Sequence, residues 1–480
     1  MKTKLLHIMI LLLLITGAMT PMPAQAKAAK PAVASEGISP AGMLKVDGTL
    51  SLDGNFNGAL DLSGYSVEID PVRGPVFGAE RSAQSAVTTG NWAGVGDGGG
   101  VMDGIVRAIL VDGTNVYVGG DFTDLGNNPA ADYIAKWDGT SWSALGANSS
   151  GDGALGNGVS SLAMSGTDLY AGGSFGAIYN GGTYLGTATY IAKWDTLTGN
   201  WSALGSNGAG GGSLNGAVTK IAVSGSNVYV AGSFTNVNNG GTVLSAADYV
   251  AKWDGTNWSA LGSNGAGDGS LGSGTYIGAL AISGADVYVG GSFTDVNNGG
   301  TVLTAADRVA KWDGTNWSAL GGNGAGEGSI SGTVYSLAVS GANVYVGGQF
   351  TDVNNNGSVI TTADYLAKWD GTNWSAIGSN GAGNGSLNNY PRTLFINGTE
   401  IYAGGSFTNV KNSGTLIPEA DYLAKWDGSN WSAIGSNGAG DGAITSKGGP
   451  FIFALAMQGS NLLAGGLFYD LNNGGAVLPQ

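Results

Sequence analysis

The side chains available for chemistry in this chain are carboxylates. Its only histidine is His7, and it has no cysteine. That excludes Ser-His-Asp and Cys-His catalysis and the usual zinc and copper sites. Two of the 34 Asp and Glu residues, suitably placed, would serve glycoside hydrolysis. Most aspartates, however, recur at equivalent positions of a repeat, whereas an active site is one place. The non-repeated Glu68, Glu80, Glu327 and Glu400 form no recognisable pair. The reading is a protein that is not an enzyme, with a carbohydrate-active enzyme as the least favoured alternative. One run has metal-ligand spacing. Asp352-Val353-Asn354-Asn355-Asn356-Gly357 matches the D-x-N-x-N-G start of a calcium loop, with Asp352, Asn354 and Asn356 as candidate ligands. Runs starting at Asp295 and Asp470 are weaker copies, and Asn236 or Asn409 replaces the acid elsewhere. The twelfth position is Ala363, and Asp364 comes one residue late, so a metal-free Asx-rich turn stands beside the calcium reading. Gly94–Gly99 fits a dinucleotide fingerprint formally but lacks the helix that must follow.

These residues sit in a repeat. Ala251–Gly262 and Ala310–Gly321 are the same twelve letters, AKWDGTNWSALG, and variants begin at Ala135, Ala192, Ala367 and Ala424. The tryptophans of the six hairpins pair as Trp137 with Trp142, Trp194 with Trp201, and Trp253 with Trp258. Trp312 with Trp317, Trp369 with Trp374 and Trp426 with Trp431 complete the set. A second signature, G/A-G-x-F, ends at Phe122 and recurs through Phe468. Its steps run from 53 residues (Phe122 to Phe175) to 61 (Phe407 to Phe468). One unit reads as four strands, 278–283, 286–293, 308–313 and 316–321, rich in Val, Tyr and Trp. Gly284-Ala285 makes a tight hairpin. The turn Asp313–Asn316 sets Trp312 opposite Trp317, a cross-strand pair worth ~0.2–1 kcal/mol. Packing between blades is the leading role for these rings, and stacking on sugars is the alternative. Lys311 shares a strand face with Asp307 and Asp313, so an ion-paired Lys–Asp column is expected.

Four antiparallel strands in series point to an all-β fold, a seven-bladed β-propeller of four-stranded antiparallel blades closed by an N-terminal segment. Seven G/A-G-x-F pairs face only six AKWD hairpins. Ala83–Gly96 aligns with Ala192–Gly205 and keeps Gly90, Asn91 and Trp92, so residues 83–96 are read as completing the last of seven ~57-residue repeats. A chain cut short is the rival reading. The expected domains are a signal peptide (1–26), a linker and strand-rich segment (27–82) and the propeller (83–480). Lys2 and Lys4, the apolar run Leu5–Ile15 and Ala24-Gln25-Ala26 carry the first of these. Secretion or cell-surface display after cleavage near Ala26 follows.

No later run is apolar enough to span a membrane, and the net charge of −15 argues against nucleic acid. Both short turns of a unit lie at one end of its strands. The loops Thr294–Ala306 and Gly322–Gly332 therefore share the other, the natural binding face. A ring of equivalent weak sites is one reading of them and plain connectors another. The pattern Y-V-G-G-x-F-T followed by A-K-W-D-G-x-x-W-S-A-L-G resembles kelch-like repeats of secreted bacterial propeller proteins, and is similar to repeats of the fungal cortical cell-polarity marker family. The resemblance implies a secreted or surface propeller that binds something. The copper ligands of galactose-oxidase relatives have no counterpart. The expected function is non-catalytic binding of an extracellular protein or polysaccharide by a monomer, with a structural envelope or matrix role as the alternative.

Overall fold

The computed structural model describes residues 65–70, 74–79, 92–95, 103–176, 178–445, 451–468 and 470–478. The expected signal peptide, and the part of the closing segment before Trp92, lie outside them. In the unit Ala18–Ala86, Tyr65–Asp70 and Gly74–Ala79 form an antiparallel hairpin. The larger unit holds the repeats.

The chain of the fourth repeat shows the local logic. Strand Ile277–Ser283 turns through Gly284 (φ 62) into Asp286–Gly291, which pairs with Val309–Trp312, which pairs with Trp317–Ala319. The two-residue turn with a positive φ matches the twist of the strands it joins. Val287 and Val289 are wholly buried, because both faces of the sheet are covered by neighbouring blades.

Six such four-stranded sheets are present among the described residues, where seven were expected. Between the sixth and the first stands only a two-stranded sheet, Phe451–Gln458 with Asn461–Leu467. The reason is legible in the chain: a blade needs an AKWD hairpin for its outer half, and six are written. The inner strands nevertheless touch in one cycle, with Phe451–Gln458 contacting both Pro391–Asn397 and Val106–Asp112. Trp92 is 2% exposed and packs with Ile434, Ala443 and Leu471.

The G/A-G-x-F signature has a physical meaning. A Cβ on Gly290 would lie 2.4 Å from Val334 of the next blade, and one on Gly291 would lie 2.0 Å from the Tyr276 carbonyl oxygen. The first glycine lets the next blade's inner strand approach. The second lets its own inner strand bulge inward. The phenylalanine that follows is fully buried in every repeat.

The connection read as a loop at Thr294–Ala306 is itself a hairpin, Val296–Asn298 with Thr301–Leu303, turning on Gly299 and Gly300. It packs on its own blade's outer strand. Backbone bonds from Gly299 N–H to Ser263 O and from Asn297 N–H to Ser270 O, both 2.8 Å, tie it to the preceding connection. The two long connections therefore brace each other.

At the opposite end, each outer turn is held by an aspartate. Asp313 accepts the backbone N–H groups of Thr315 and Asn316. Such bonds favour the carboxylate. Bonds from the turn amides hold Asp195, Asp254, Asp313, Asp370 and Asp427 below the ordinary value, and bring Asp138 to about 2. A folded pKa below the unfolded one gives stability present above the unfolded value of about 4 and lost as pH falls through the folded value. Burial pushes Asp421 the other way. Unfolding near pH 3 should thus take up protons, at most about one per turn. The denaturant midpoint measured from pH 5 to pH 2 should fall, and less steeply in Asp313→Asn. A midpoint that rises on acidification contradicts this assignment.

Candidate functional site

A site must be where the repeat stops repeating, and that place is the axis. Each inner strand carries a β-bulge near its start, one residue long, just after the long connection delivers the chain. A bulge turns the extra residue out of the ladder. In the second, third and fourth repeats these residues are small: Ser160, Thr219 and Gly278. In the fifth, sixth, seventh and first they are Tyr335, Arg392, Phe453 and Arg107. All seven line one cavity of about 160 Å³, joined by Lys220 and Tyr276. It is therefore asymmetric, with cations and rings on one arc and small hydroxyl or glycine positions on the other.

Arg392 is the centre of the crowded arc. Its guanidinium carbon stands 4.7 Å from the Tyr335 ring centre, 5.0 Å from Tyr390 and 5.6 Å from Phe451. Stacking of this kind is worth ~0.5–2 kcal/mol and fixes the plane of the fork. Arg392 Nη2 donates to the Tyr390 hydroxyl at 3.2 Å. Its buried Nε has no hydrogen-bond partner. Arg107, by contrast, is ion-paired with Asp121 at 2.5 Å. No ion pair among the described residues involves Arg392 or Lys220. Lys220 keeps contact with water in the bore while protein surrounds it. Burial first, and the Arg107 charge second, push its ammonium below the ordinary lysine value. Burial raises the Tyr276 hydroxyl, which the charges of Arg392 and Arg107 oppose. Among the described residues no carboxylate lines this cup.

The predicted site residues fall elsewhere. Asp352, Asn354 and Asn356 lie on a hairpin, Val353–Asn355 with Ser358–Ile360, whose turn is Asn356-Gly357 with φ of 51 and 92. Asn354 Oδ1 accepts Gly357 N–H at 2.8 Å, and both Asp364 oxygens accept backbone N–H groups, of Asp352 and Gly385. Asn354 and Asp364 thus hold the backbone of this connection in place. Among the described residues no group of three His, Cys, Asp or Glu is placed to hold a metal.

The tryptophans pair across strands with ring centres 5.3–5.5 Å apart in all six hairpins. The second of each pair reaches the preceding blade. Trp317 Nε1 donates to Leu261 O at 2.6 Å, Trp201 to Leu145 O, Trp258 to Leu204 O, Trp374 to Leu320 O and Trp431 to Ile377 O. Trp142 Nε1 donates to Val95 O at 3.2 Å, which seats Val95 where Leu145 stands one blade on.

Lys311 pairs with Asp286 at 3.2 Å rather than with Asp307 or Asp313. Lys193 with Asp168 and Lys425 with Glu400 repeat the pair in alternate blades. The register dictates this, because Lys311 faces Tyr288 and so reaches the start of the adjacent strand. Asp307 is spent on the N–H groups of Asp295 and Gly328.

A larger cleft of about 620 Å³ lies among the long connections of the fourth and fifth repeats, with Glu327 and Arg308 on its walls. Arg308 stands where five other repeats have tyrosine, all six with φ of 62 to 65. Its remaining walls are repeat positions.

Sequence reasoning passed over the cup because it looked for chemistry inside motifs. The available signal was the spread of residue types at one register position of the inner strands: Arg107, Ser160, Thr219, Gly278, Tyr335, Arg392 and Phe453.

No protein-family model matches the chain, and no curated protein matches it. Among solved structures it is similar to the computationally designed Ika8 protein, at 15% identity over 80% of this chain and 98% of that one, TM-score 0.38. It is similar to the WD40 β-propeller domain of Doa1, at 10% identity over 76% and 90%, TM-score 0.36. YCF48 bound to D1 peptide matches at 12% identity over 76% and 90%, TM-score 0.39. Likenesses this distant bear no functional argument. The propeller fold rests on the chain's own blades.

Proposed function

We propose that this is a secreted or cell-surface, kelch-like propeller that binds an extracellular polysaccharide or protein without catalysis, at the end of the ring where the long connections lie. The observation that supports it is the axial cup. Seven inner strands each place their bulged residue on one common cavity, and among the described residues neither Arg392 nor the adjoining Lys220 has a counter-ion. A rigid scaffold presenting a few unpaired polar groups in a concavity is the ordinary form of a binding site. A purely structural role is favoured by one fact only, the mutual bracing of the long connections, and it leaves the unpaired cations unexplained.

The test is a glycan array probed with the full chain and with the Arg392→Gln/Lys220→Gln double variant. Binding by the full chain that is lost in the variant is the expected result. Binding that survives both substitutions moves the site off the axis. Silence throughout, followed by failure to capture any protein from culture medium, sinks the binding reading.

A further inference from the structure

We propose that the axial cup is a receptor for the carboxylate of an acidic sugar at the end of a glycan chain, held between Arg392 and Lys220. The inference rests on the binding reading above and names its ligand class. Three observations carry it.

The first is charge. Three cations, Arg107, Lys220 and Arg392, converge in a chain of net charge −15. Only Arg107 has its own carboxylate. Like charges are not gathered without a counter-ion unless something supplies one, since each repels the others and loses solvation.

The second is the fork. The rings of Tyr335 and Tyr390 hold the Arg392 guanidinium in a fixed plane. A guanidinium fixed in this way, on the cavity wall and without a carboxylate of its own, can give a charge-assisted bond to a carboxylate entering the cup.

The third is size and lining. A cavity of about 160 Å³ has room for one ring-sized group. Its wall carries the Ser160 hydroxyl, Thr219, whose hydroxyl donates to Ile277 O at 2.9 Å, and Tyr276, which is 45% exposed. Hydroxyl-rich walls suit a polyhydroxylated ring. Among the described residues Phe453 is the one wholly apolar side chain in the wall.

The experiment is calorimetric titration of the full chain with a trisaccharide ending in glucuronate and with the same trisaccharide ending in glucose. We expect the acidic sugar to bind at least about tenfold tighter, as a charge-assisted pair requires, with the advantage shrinking as salt rises. Arg392→Gln and Lys220→Gln should each remove most of the difference, while Lys311→Gln, at the short-turn end, leaves it intact. Ser160→Asp, which adds a carboxylate to the roomy arc without removing a packed ring, should abolish acidic-sugar binding even if Arg392→Gln fails to fold. Equal affinity for the two sugars overturns the carboxylate inference and leaves the binding reading standing. A preference that survives the cup substitutions overturns its location. Binding of a peptide carboxylate in place of both sugars overturns the sugar class. Absence of all three, with a silent array, removes the binding reading itself.

Discussion

Trp317→Ala should lower the stability of the whole ring by about 3–5 kcal/mol, whereas Trp312→Ala, its partner across the strand, should cost about half as much or less. The two rings sit 5.5 Å apart, so their mutual stacking is lost equally in either variant. What differs is what else each ring does. Trp317 is 3% exposed, while Trp312 is half-buried. The Trp317 indole also crosses to the preceding blade and bonds Leu261 O. Truncation therefore opens a cavity at an interblade seam and strands a buried carbonyl, a further ~1–3 kcal/mol. Against a typical total of about 5–15 kcal/mol, that is a large share for one of six equivalent hairpins. Equilibrium denaturation of both variants measures it, and Trp317→Phe isolates the hydrogen bond from the volume. Equal losses for Trp312 and Trp317 contradict the staple.

The pair was legible because AKWDGTNWS writes both tryptophans on either side of a turn whose length sets their register. The stapling was not, since nothing in one hairpin says which blade its second indole will touch. Blade number shows the same limit from the other side. Counting seven G/A-G-x-F pairs finds the inner hairpins correctly. A blade, however, is completed by its outer pair, and residues 92–95 are the described part of the segment read as a substitute. The hairpin inside Thr294–Ala306 was missed although Asn298-Gly299-Gly300 is a turn signal. Its strands are three residues long and carry asparagine, which propensity counts against a strand. For the same reason the hairpin at Val353–Ile360 was not read: D-x-N-x-N-G and a short strand ending in Asn-Gly are the same letters, and only the partners Asn355 and Ser358 show the pairing.

The cup makes the relation between fold and function testable at a residue that touches no ligand. Gly405→Ala should destabilise the protein by about 2–4 kcal/mol and also weaken ligand binding, because one glycine serves both. Its Cβ would fall 2.5 Å from the Tyr390 carbonyl oxygen and 2.9 Å from Arg392 N. Both are backbone atoms, so no rotamer change relieves the contact. The inner strand must move away from its neighbour, and the bulge that turns Arg392 toward the axis moves with it. The neighbouring Gly404→Ala is the control. Its Cβ would meet side chain rather than backbone, Ile452 Cγ2 at 2.6 Å and Cβ at 2.9 Å, and the third repeat accommodates Ala231 at the corresponding position fully buried. A cost nearer 1–2 kcal/mol with binding retained is expected there. The paired measurement is a denaturant midpoint and a titration for each variant. If Gly405→Ala loses stability but binds its glycan as the unmodified chain does, the bulge does not position Arg392, and the link drawn here between the second glycine of the signature and the axial cup fails.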